Sequence, residues 1–220
     1  MNIGIFILVR LSSTRLPSKA LLKIQNKPCL QYLIERIKKI EEIDSVVLCT
    51  TKNTIDDKIE KLAQDMNIHV FRGSEIDVLE RLKDAALEYK VDNIVSVDGD
   101  DIFCESEFII STIKELKETN ADYISWKNLP LGTTPIGIKV SALVKICDQK
   151  ITQNTETGWG KFFTDSGLCK IKYLTNTDSE YAEPDIRLTL DYPEDFQLFE
   201  QIIKNVNEPY KLKDIIRFLR

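Results

Sequence analysis

Short apolar runs alternate with segments of helical periodicity through the first half of the chain. Buried strands are predicted from four runs of apolar and β-branched residues, at 3–9, 45–51, 68–71 and 93–97. Between these runs, apolar residues recur every three or four positions, which predicts helices over 30–40, 55–66 and 78–89. Strands and helices in this order form right-handed βαβ units. The pattern therefore predicts an α/β fold with a mainly parallel sheet covered by helices on both faces.

The pattern after residue 101 is less regular. Helices are predicted at 108–116, 193–205 and 212–219, and strands at 122–126, 138–140, 169–174 and 187–190. Residues 148–167 have no clean period. Because no repeat or low-complexity linker divides the 220 residues, the sequence predicts a single domain over 1–220.

Charge and composition exclude several classes of protein. A net charge of −5 argues against a nucleic-acid partner, which needs a basic surface. No apolar stretch approaches the roughly 20 residues that cross a bilayer, so we expect no membrane partner and a cytoplasmic location. The five cysteines are scattered without a C-x-x-C pair, and the chain has one histidine. A zinc site and a disulfide framework are therefore not expected, and buried free thiols are.

The first predicted strand runs into a loop that carries three cations within ten residues, Arg10, Arg15 and Lys19. Hydroxyl residues, Ser12 and Ser13 among them, lie between the cations. Such a loop can neutralise phosphate oxygens and donate hydrogen bonds to them, although an exposed basic loop would have the same composition. It is not a Walker A loop, because the G-x-x-x-x-G-K-[ST] pattern is absent.

Carboxylates follow two other predicted strands. Asp98, Asp100 and Asp101 come after the strand at 93–97, and Asp191 comes after the strand at 187–190. Sheets of this kind bind ligands outside the carboxyl ends of their strands, where the segments 10–19, 50–53, 72–77 and 98–101 should meet. Carboxylates so close together repel unless a cation lies between them or one takes a proton. The sequence thus indicates a nucleotide-sized crevice with Mg²⁺, although a polar turn and an N-cap role for Asp191 are alternatives.

Three ordered motifs resemble those of nucleotide-sugar cytidylyltransferases. Residues 9–19, V-R-L-S-S-T-R-L-P-S-K, resemble the signature A-R-x-x-S-x-R-L-P-x-K. Residues 71–81, F-R-G-S-E-I-D-V-L-E-R, are similar to F-R-G-S-x-x-D-V-L-x-R, and residues 187–195, R-L-T-L-D-Y-P-E-D, resemble R-L-T-x-D-x-P-E-D. The latter two motifs belong to the spore-coat polysaccharide type, SpsF. That type is related to the CMP-Kdo and CMP-sialic acid synthetases.

This resemblance implies a Rossmann-like, three-layer αβα nucleotidyltransferase fold of the GT-A-like kind, with CTP as substrate and Mg²⁺ as cofactor. The catalytic residues that it implies are Arg10, Arg15, Lys19 and Asp100. The nucleotide-binding residues are Arg10, Ser12, Ser13, Arg15, Lys19, Thr51, Gly73, Ser74, Arg81 and Asp98, with Gly73, Ser74 and Arg81 around the cytosine. The metal ligands are Asp100 and Asp191. Asp98 stands where relatives usually carry an uncharged polar residue, and it is either a third ligand or a group directed at the acceptor.

The implied reaction is attack of an acceptor oxygen on the α-phosphorus of CTP, with no protein nucleophile. The expected acceptor is a 2-keto-3-deoxy sugar acid, giving a CMP-sugar for surface polysaccharide. A phosphorylated sugar or polyol, giving a CDP-linked product, is the alternative. The residues expected to bind the acceptor are Glu156, Trp159, Lys161 and Arg187, although Trp159 equally fits a packing role. A non-catalytic nucleotide-binding partner of a glycan-assembly enzyme and a nucleotide enzyme that uses another base are the remaining hypotheses.

Residues 125–165 are the part of the chain where the resemblance is weakest. Spore-coat members tend to carry a basic, histidine-containing segment near residues 155–161, and this chain does not. Related enzymes are often dimers, so we expect this segment to form a dimerisation or acceptor-binding excursion of a homodimer. Trp126, Leu129 and Leu131 are its candidate contacts.

Overall fold

The computed structural model describes residues 1–41 and 43–220. The strands of this part of the chain are β1 (Ile3–Leu8), β2 (Lys23–Ile24), β3 (Lys27–Pro28), β4 (Ser45–Thr51), β5 (His69–Gly73), β6 (Asn93–Asp98), β7 (Tyr123–Lys127), β8 (Ile136–Lys139) and β9 (Ile171–Thr175). The α-helices are α1 (Cys29–Ile37), α2 (Asp57–Asp65), α3 (Val78–Glu88), α4 (Ser106–Glu118), α5 (Val140–Gln149), α6 (Lys161–Thr164), α7 (Pro193–Asn205) and α8 (Leu212–Leu219). Short 3₁₀ helices occupy Lys19–Leu21, Thr54–Asp56 and Ser179–Tyr181.

Seven of these strands form one mixed sheet in the order β5-β4-β1-β6-β8-β7-β9. The strand β1 lies near its centre and pairs in parallel with β4 and β6. The strand β8 is antiparallel to both of its neighbours, β6 and β7. The remaining pairs, β4 with β5 and β7 with β9, are parallel. The predicted Rossmann-like fold with a mostly parallel mixed sheet is therefore confirmed.

Helices cover both faces of the sheet because successive side chains of a buried strand point to opposite sides. All six residues of β1 are buried. Ile5 faces the core beneath α1, α2, α4, α7 and α8, whereas its neighbour Phe6 faces the core beneath α3, α5 and α6. The two cores and the sheet between them make the three predicted layers.

Two predicted elements of the second half are wrong or shifted. Residues 187–190 form no strand but an extended segment with one bridge, in which the Leu188 amide donates to the Leu131 carbonyl at 2.7 Å. Leu188 and Leu190 are fully buried, and this packing produces the alternation that resembles a strand. The strand predicted at 138–140 is β8, which starts earlier, at Ile136, and ends at Lys139. Val140 instead begins α5, a helix that the sequence analysis missed.

Residues 125–165 are built into the same sheet and layers as the rest, since they supply β8, α5 and α6. Trp126 packs on Phe108 with ring centroids 4.7 Å apart and donates its indole N–H to Thr112 Oγ1 at 3.0 Å. Leu131 is 55% exposed. Of the three candidate dimer contacts, Leu131 is therefore the one with most of its side chain at the surface. The homodimer stays a prediction, which light scattering would test.

The cysteines agree with the sequence analysis. All five cysteines are free, and Cys29, Cys49 and Cys104 are buried, while Cys147 and Cys169 are half-buried. Burial raises the pKa of the Cys49 thiol to about 12, so it stays protonated at neutral pH. Within residues 1–41 and 43–220, none of the helices combines the length and the apolar character that a membrane crossing requires.

Candidate active site

A cavity of about 570 Å³ opens at the carboxyl ends of β1 and β6. The loop after β1 and the turn after β6 form two of its walls, as expected for a parallel sheet. Eleven of the predicted site residues line it: Arg10, Ser12, Ser13, Arg15, Lys19, Arg81, Asp98, Asp100, Glu156, Trp159 and Asp191. Thr51, Gly73, Ser74, Lys161 and Arg187 are absent from its lining.

Lys19 lies between two carboxylates that come from distant parts of the chain. Its ammonium donates to the carboxylate of Asp100 and to Asp191 Oδ1, the latter at 2.8 Å. The side chain is 13% exposed. Burial disfavours the charged form, but the two carboxylates outweigh it and raise the pKa of Lys19 above its usual value. The crevice therefore contains a permanently charged ammonium.

Asp191 accepts hydrogen bonds from three cationic side chains. It accepts hydrogen bonds from Lys19, from Arg15 Nη2 at 2.8 Å and from Arg187 Nη2 at 2.6 Å. Burial works against ionisation, yet these donors lower the pKa of Asp191 below its ordinary value. The Asp195 carboxylate accepts the backbone N–H of Asp191 at 2.8 Å and caps the start of α7 there. Asp191 is thus not itself the helix cap, and its side chain faces the crevice.

The turn after β6 holds three carboxylates close together. Oxygens of Asp98, Asp100 and Asp101 lie within 4.8 Å of one another. Partial removal from water inside the crevice and the adjacent charge of Asp100 raise the pKa of Asp98 to about 7, although the Asp98 side chain remains exposed to the crevice. Burial and the charge of Asp100 raise the pKa of Asp101 as well. A Cβ on Gly99 would lie 2.8 Å from Val9 Cβ, so glycine lets this turn approach the loop after β1.

Arg81 also lines the crevice, close enough to Arg10 and Asp98 for their charges to act on its guanidinium. Its side chain is 3% exposed, and burial lowers the pKa of its guanidinium. Nη1 donates to the Ser74 carbonyl at 3.1 Å, whereas Nε has no hydrogen-bond partner among the described residues. A Cβ on Gly73 would lie 2.9 Å from Arg81 Cγ. Gly73 and Ser74 therefore hold Arg81 in place, although neither lines the cavity.

Trp159 and Glu156 form the wall beside Arg10. Glu156 makes an ion pair with Arg10, and Glu75 lies 4.0 Å from the same guanidinium. Trp159 is only 8% exposed and packs edge-on against Phe163, with ring centroids 6.4 Å apart. This burial fits the packing role that the sequence left open for Trp159, although the residue also lines the cavity.

Three other predicted residues point elsewhere. Thr51 is fully buried and donates its hydroxyl to Asp56. Lys161 lines a separate surface groove with Phe162. Arg187 lies on the outer side of Asp191, where it also contacts Asp195 Oδ1 at 3.2 Å. Thr51 and Arg187 therefore contact residues next to the cavity without lining it, and Lys161 belongs to a different groove.

Asp56 is a residue that sequence reasoning missed. It is fully buried, and its Oδ1 accepts the backbone N–H of Leu11 at 2.8 Å while Oδ2 accepts the Thr51 hydroxyl. The carboxylate thereby ties the start of the cationic loop to the end of β4. Nothing in the sequence distinguishes Asp56 from its exposed neighbour Asp57, so no local signal could have found it.

We expect Asp56→Ala to lower the free energy of unfolding by about 3 kcal/mol, because the Leu11 N–H and the Thr51 hydroxyl lose a buried charged acceptor. Urea denaturation of the two proteins would measure it. The matched control is Asp57→Ala, whose carboxylate is 61% exposed, and a loss below about 1 kcal/mol is expected there. Equal losses in both variants would contradict the anchoring role of Asp56.

This fold and this crevice define a nucleotidyltransferase. The chain matches the family described as Cytidylyltransferase over residues 4–215 and belongs to it. The prediction of a CTP-dependent nucleotidyltransferase is thereby confirmed.

Relatives from several organisms match the chain. The protein MJ1063 of Methanocaldococcus jannaschii is 34% identical, over 99% of this chain and 89% of its own. The spore coat polysaccharide biosynthesis protein SpsF of Bacillus subtilis is 26% identical, over 94% of this chain and 89% of its own. A 3-deoxy-manno-octulosonate cytidylyltransferase of Pelobacter propionicus is 32% identical over 53% of this chain and 45% of its own. A solved cytidylyltransferase of Leptospira borgpetersenii superposes with a TM-score of 0.90 at 26% identity, covering 100% of this chain and 94% of its own.

Proposed function

We propose that the protein transfers CMP from CTP to the anomeric hydroxyl of a 2-keto-3-deoxy sugar acid, giving a CMP-sugar and pyrophosphate for surface polysaccharide. The observation that carries this proposal is the contact of Lys19 with both Asp100 and Asp191 in one crevice, beside Arg15. Such a set can hold phosphates and a divalent cation together. The names of the SpsF and 3-deoxy-manno-octulosonate relatives support the sugar acid and the polysaccharide.

The phosphates of CTP would bind to the loop after β1. Arg10, Arg15 and Lys19 supply the charge, and Ser12 and Ser13 supply hydroxyls. Ser12 Oγ is buried without a hydrogen-bond partner among the described residues. Buried hydroxyls are normally paired, so a phosphate oxygen is a fitting partner for it.

The charges of the cavity lining favour binding of Mg²⁺ together with the nucleotide. Five carboxyl groups line the cavity beside four cationic side chains, and a divalent cation would offset the repulsion between these carboxyl groups and a polyanionic triphosphate. Asp100 and Asp191 both contact the Lys19 ammonium, which places the two carboxylates on the same side of the crevice. Carboxylate oxygens suit Mg²⁺, and these two residues would hold it, with Asp98 as the third candidate. Bound there, Mg²⁺ would supply charge neutralisation at the α-phosphate.

In the proposed reaction, the acceptor hydroxyl oxygen attacks the α-phosphorus and loses its proton to solvent, and the bond from the α-phosphorus to the oxygen that bridges it to the β-phosphorus breaks. Pyrophosphate leaves with the electron pair. Lys19 would stabilise the negative charge that develops on the departing phosphates. Because the acceptor oxygen is the nucleophile, the protein does not have to supply one. Arg81, with its free Nε, would read the cytosine beside Gly73 and Ser74. Glu156 lines the crevice, whereas Arg187 does not line it but pairs with Asp191, which does. Arg187 would therefore act on the acceptor through Asp191 and not by direct contact.

Pyrophosphate release tests this proposal. The protein would be incubated with CTP, Mg²⁺ and a panel of 2-keto-3-deoxy sugar acids and sugar phosphates, with Asp100→Asn as the blank. Turnover is expected with a sugar acid and not with the blank. Turnover with a phosphorylated sugar and with no sugar acid would show that the product is CDP-linked and not a CMP-sugar. Equal use of ATP or UTP would overturn the choice of base, and CTP binding without any turnover would leave only a nucleotide-binding module.

A further inference from the structure

A buried polar cluster lies behind the wall of the crevice that carries Glu156. It consists of Asp77, Lys150 and Thr155, and we call it the Asp77 cluster. The Asp77 side chain is 1% exposed, that of Lys150 is 9% exposed, and Thr155 is fully buried. Lys150 donates its ammonium to Asp77 Oδ2, and Thr155 donates its hydroxyl to Asp77 Oδ1 at 2.8 Å. None of the three lines the cavity.

The contacts of the Asp77 cluster join two segments that are far apart in the chain. Asp77 caps α3 by accepting the backbone N–H of Glu80 at 3.1 Å. Thr155 makes two further hydrogen bonds to the start of α3. Its hydroxyl accepts the Leu79 N–H at 3.2 Å, and its own N–H donates to the Ile76 carbonyl at 2.9 Å. Residues 150–155 are thus fastened to the start of α3 by backbone and side-chain bonds together.

The fastened segment leads directly into the crevice. Glu156, next to Thr155, makes the ion pair with Arg10, and residues 156–159 line the cavity. The helix that Asp77 caps also carries Arg81, whose side chain lines the same cavity. One buried carboxylate therefore sets the separation between the segment 156–159 and Arg81. Burial of an unpaired carboxylate is energetically unfavourable. Movement of residues 150–155 away from the start of α3 would leave Asp77 unpaired, so little movement is tolerated.

We propose that Asp77, Lys150 and Thr155 are positioning residues that hold residues 156–159 at the right distance from Arg81 and Arg10 for the nucleotide. This inference rests on the proposed function for the identity of the ligand, CTP. Loss of the cluster would loosen one wall of the binding site without removing any group that touches the reacting atoms. CTP binding should therefore suffer more than the chemical step.

The test uses Lys150→Met and Thr155→Val in the full-length protein. We expect each to raise the KM for CTP about tenfold with kcat within about twofold, and we expect Lys150→Arg to restore part of the affinity. Amide hydrogen exchange of the nucleotide-free protein should show faster exchange at Leu79 in Thr155→Val, because its N–H loses the hydroxyl that accepts it. In Lys150→Met the acceptors of the Leu79 and Thr155 N–H groups remain, and faster exchange at both is expected because the segment that carries Thr155 is held less firmly.

Two matched controls separate positioning from general destabilisation. Arg36→Met breaks a buried pair with Glu105, whose side chains are 8% and 6% exposed, on a wall of a different cavity. Thr112→Val removes the hydroxyl of another fully buried threonine, in α4. Neither should change the KM for CTP. An equal rise in these controls, unchanged exchange at Thr155, or faster exchange with unchanged CTP binding would each overturn the proposal. If the wild-type protein binds no CTP, the proposed function and the nucleotide role both fail, and exchange alone decides whether the cluster holds the segment.

Discussion

Lys19→Ala is expected to lower kcat by about 100- to 1,000-fold while weakening CTP binding far less. The ammonium is largely buried and lies between Asp100 and Asp191, where it would meet the charge that develops on the departing phosphates. Removal of one such donor typically costs this much in rate. Steady-state kinetics with the acceptor found by pyrophosphate release would give kcat, and calorimetry would give the Kd for CTP.

The control for this variant is Lys27→Ala. Lys27 also pairs with a carboxylate, Glu35, at 2.7 Å, but it does not line the crevice. Its loss should leave kcat unchanged, because exposed ion pairs contribute little. We further expect Lys19→Arg not to restore full activity, since a planar guanidinium does not fit a site built for a compact ammonium. Equal losses in kcat and in CTP affinity for Lys19→Ala would argue against a role in the chemical step.

The second large effect is expected for Asp100→Asn, which should lower kcat/KM by about 1,000-fold. Metal stabilisation of transition-state charge is worth several kcal/mol, and each 1.36 kcal/mol is about tenfold in rate. Asparagine has nearly the shape of aspartate but lacks the charge, so the fold should survive. Asp100 is a cleaner choice than Asp191, which also pairs with Arg15 and Arg187.

A titration with Mg²⁺ distinguishes metal binding from other roles of Asp100. The variant should need a higher Mg²⁺ concentration for half-maximal activity than the wild-type protein does. Asp84→Asn is the matched control, because Asp84 contacts Lys83 at 3.4 Å on the surface and does not line the crevice. Wild-type activity and unchanged Mg²⁺ dependence in Asp100→Asn would show that the metal is held elsewhere.

The elements predicted from the sequence agree with the structure more closely in the first half of the chain than in the second. In the first half, each of the strands β1, β4, β5 and β6 was predicted within one or two residues. Local periodicity is sufficient there because β1, most of β4 and nearly all of β6 are buried as continuous apolar runs, and the helices between them bury one face. In the second half, β8 is antiparallel to both of its neighbours, and residues 187–190 have the alternation of a strand without its pairing. Pairing depends on the neighbour in space, which periodicity does not reveal.

The residues of the candidate site divide in the same way. Arg10 and Asp98 could be assigned to one edge from sequence, because parallel strands bring their carboxyl ends together. Gly73 and Ser74 belong to a recognisable motif, yet only the structure shows that they contact Arg81 instead of lining the cavity. The role of Asp56 could not be predicted from sequence, because its burial results from packing against the loop after β1.

By itself, the sequence determined the α/β class, the cationic loop and the carboxylate turn. These follow from local spacing and from residue type, which the chain carries at every position. Only the tertiary structure decided that Lys19 contacts Asp191 across 172 positions of the sequence, and that Asp77 fastens residues 150–155 to α3. Contacts of that kind arise where distant segments are buried against one another, and a buried charge must then find whichever partner the packing provides.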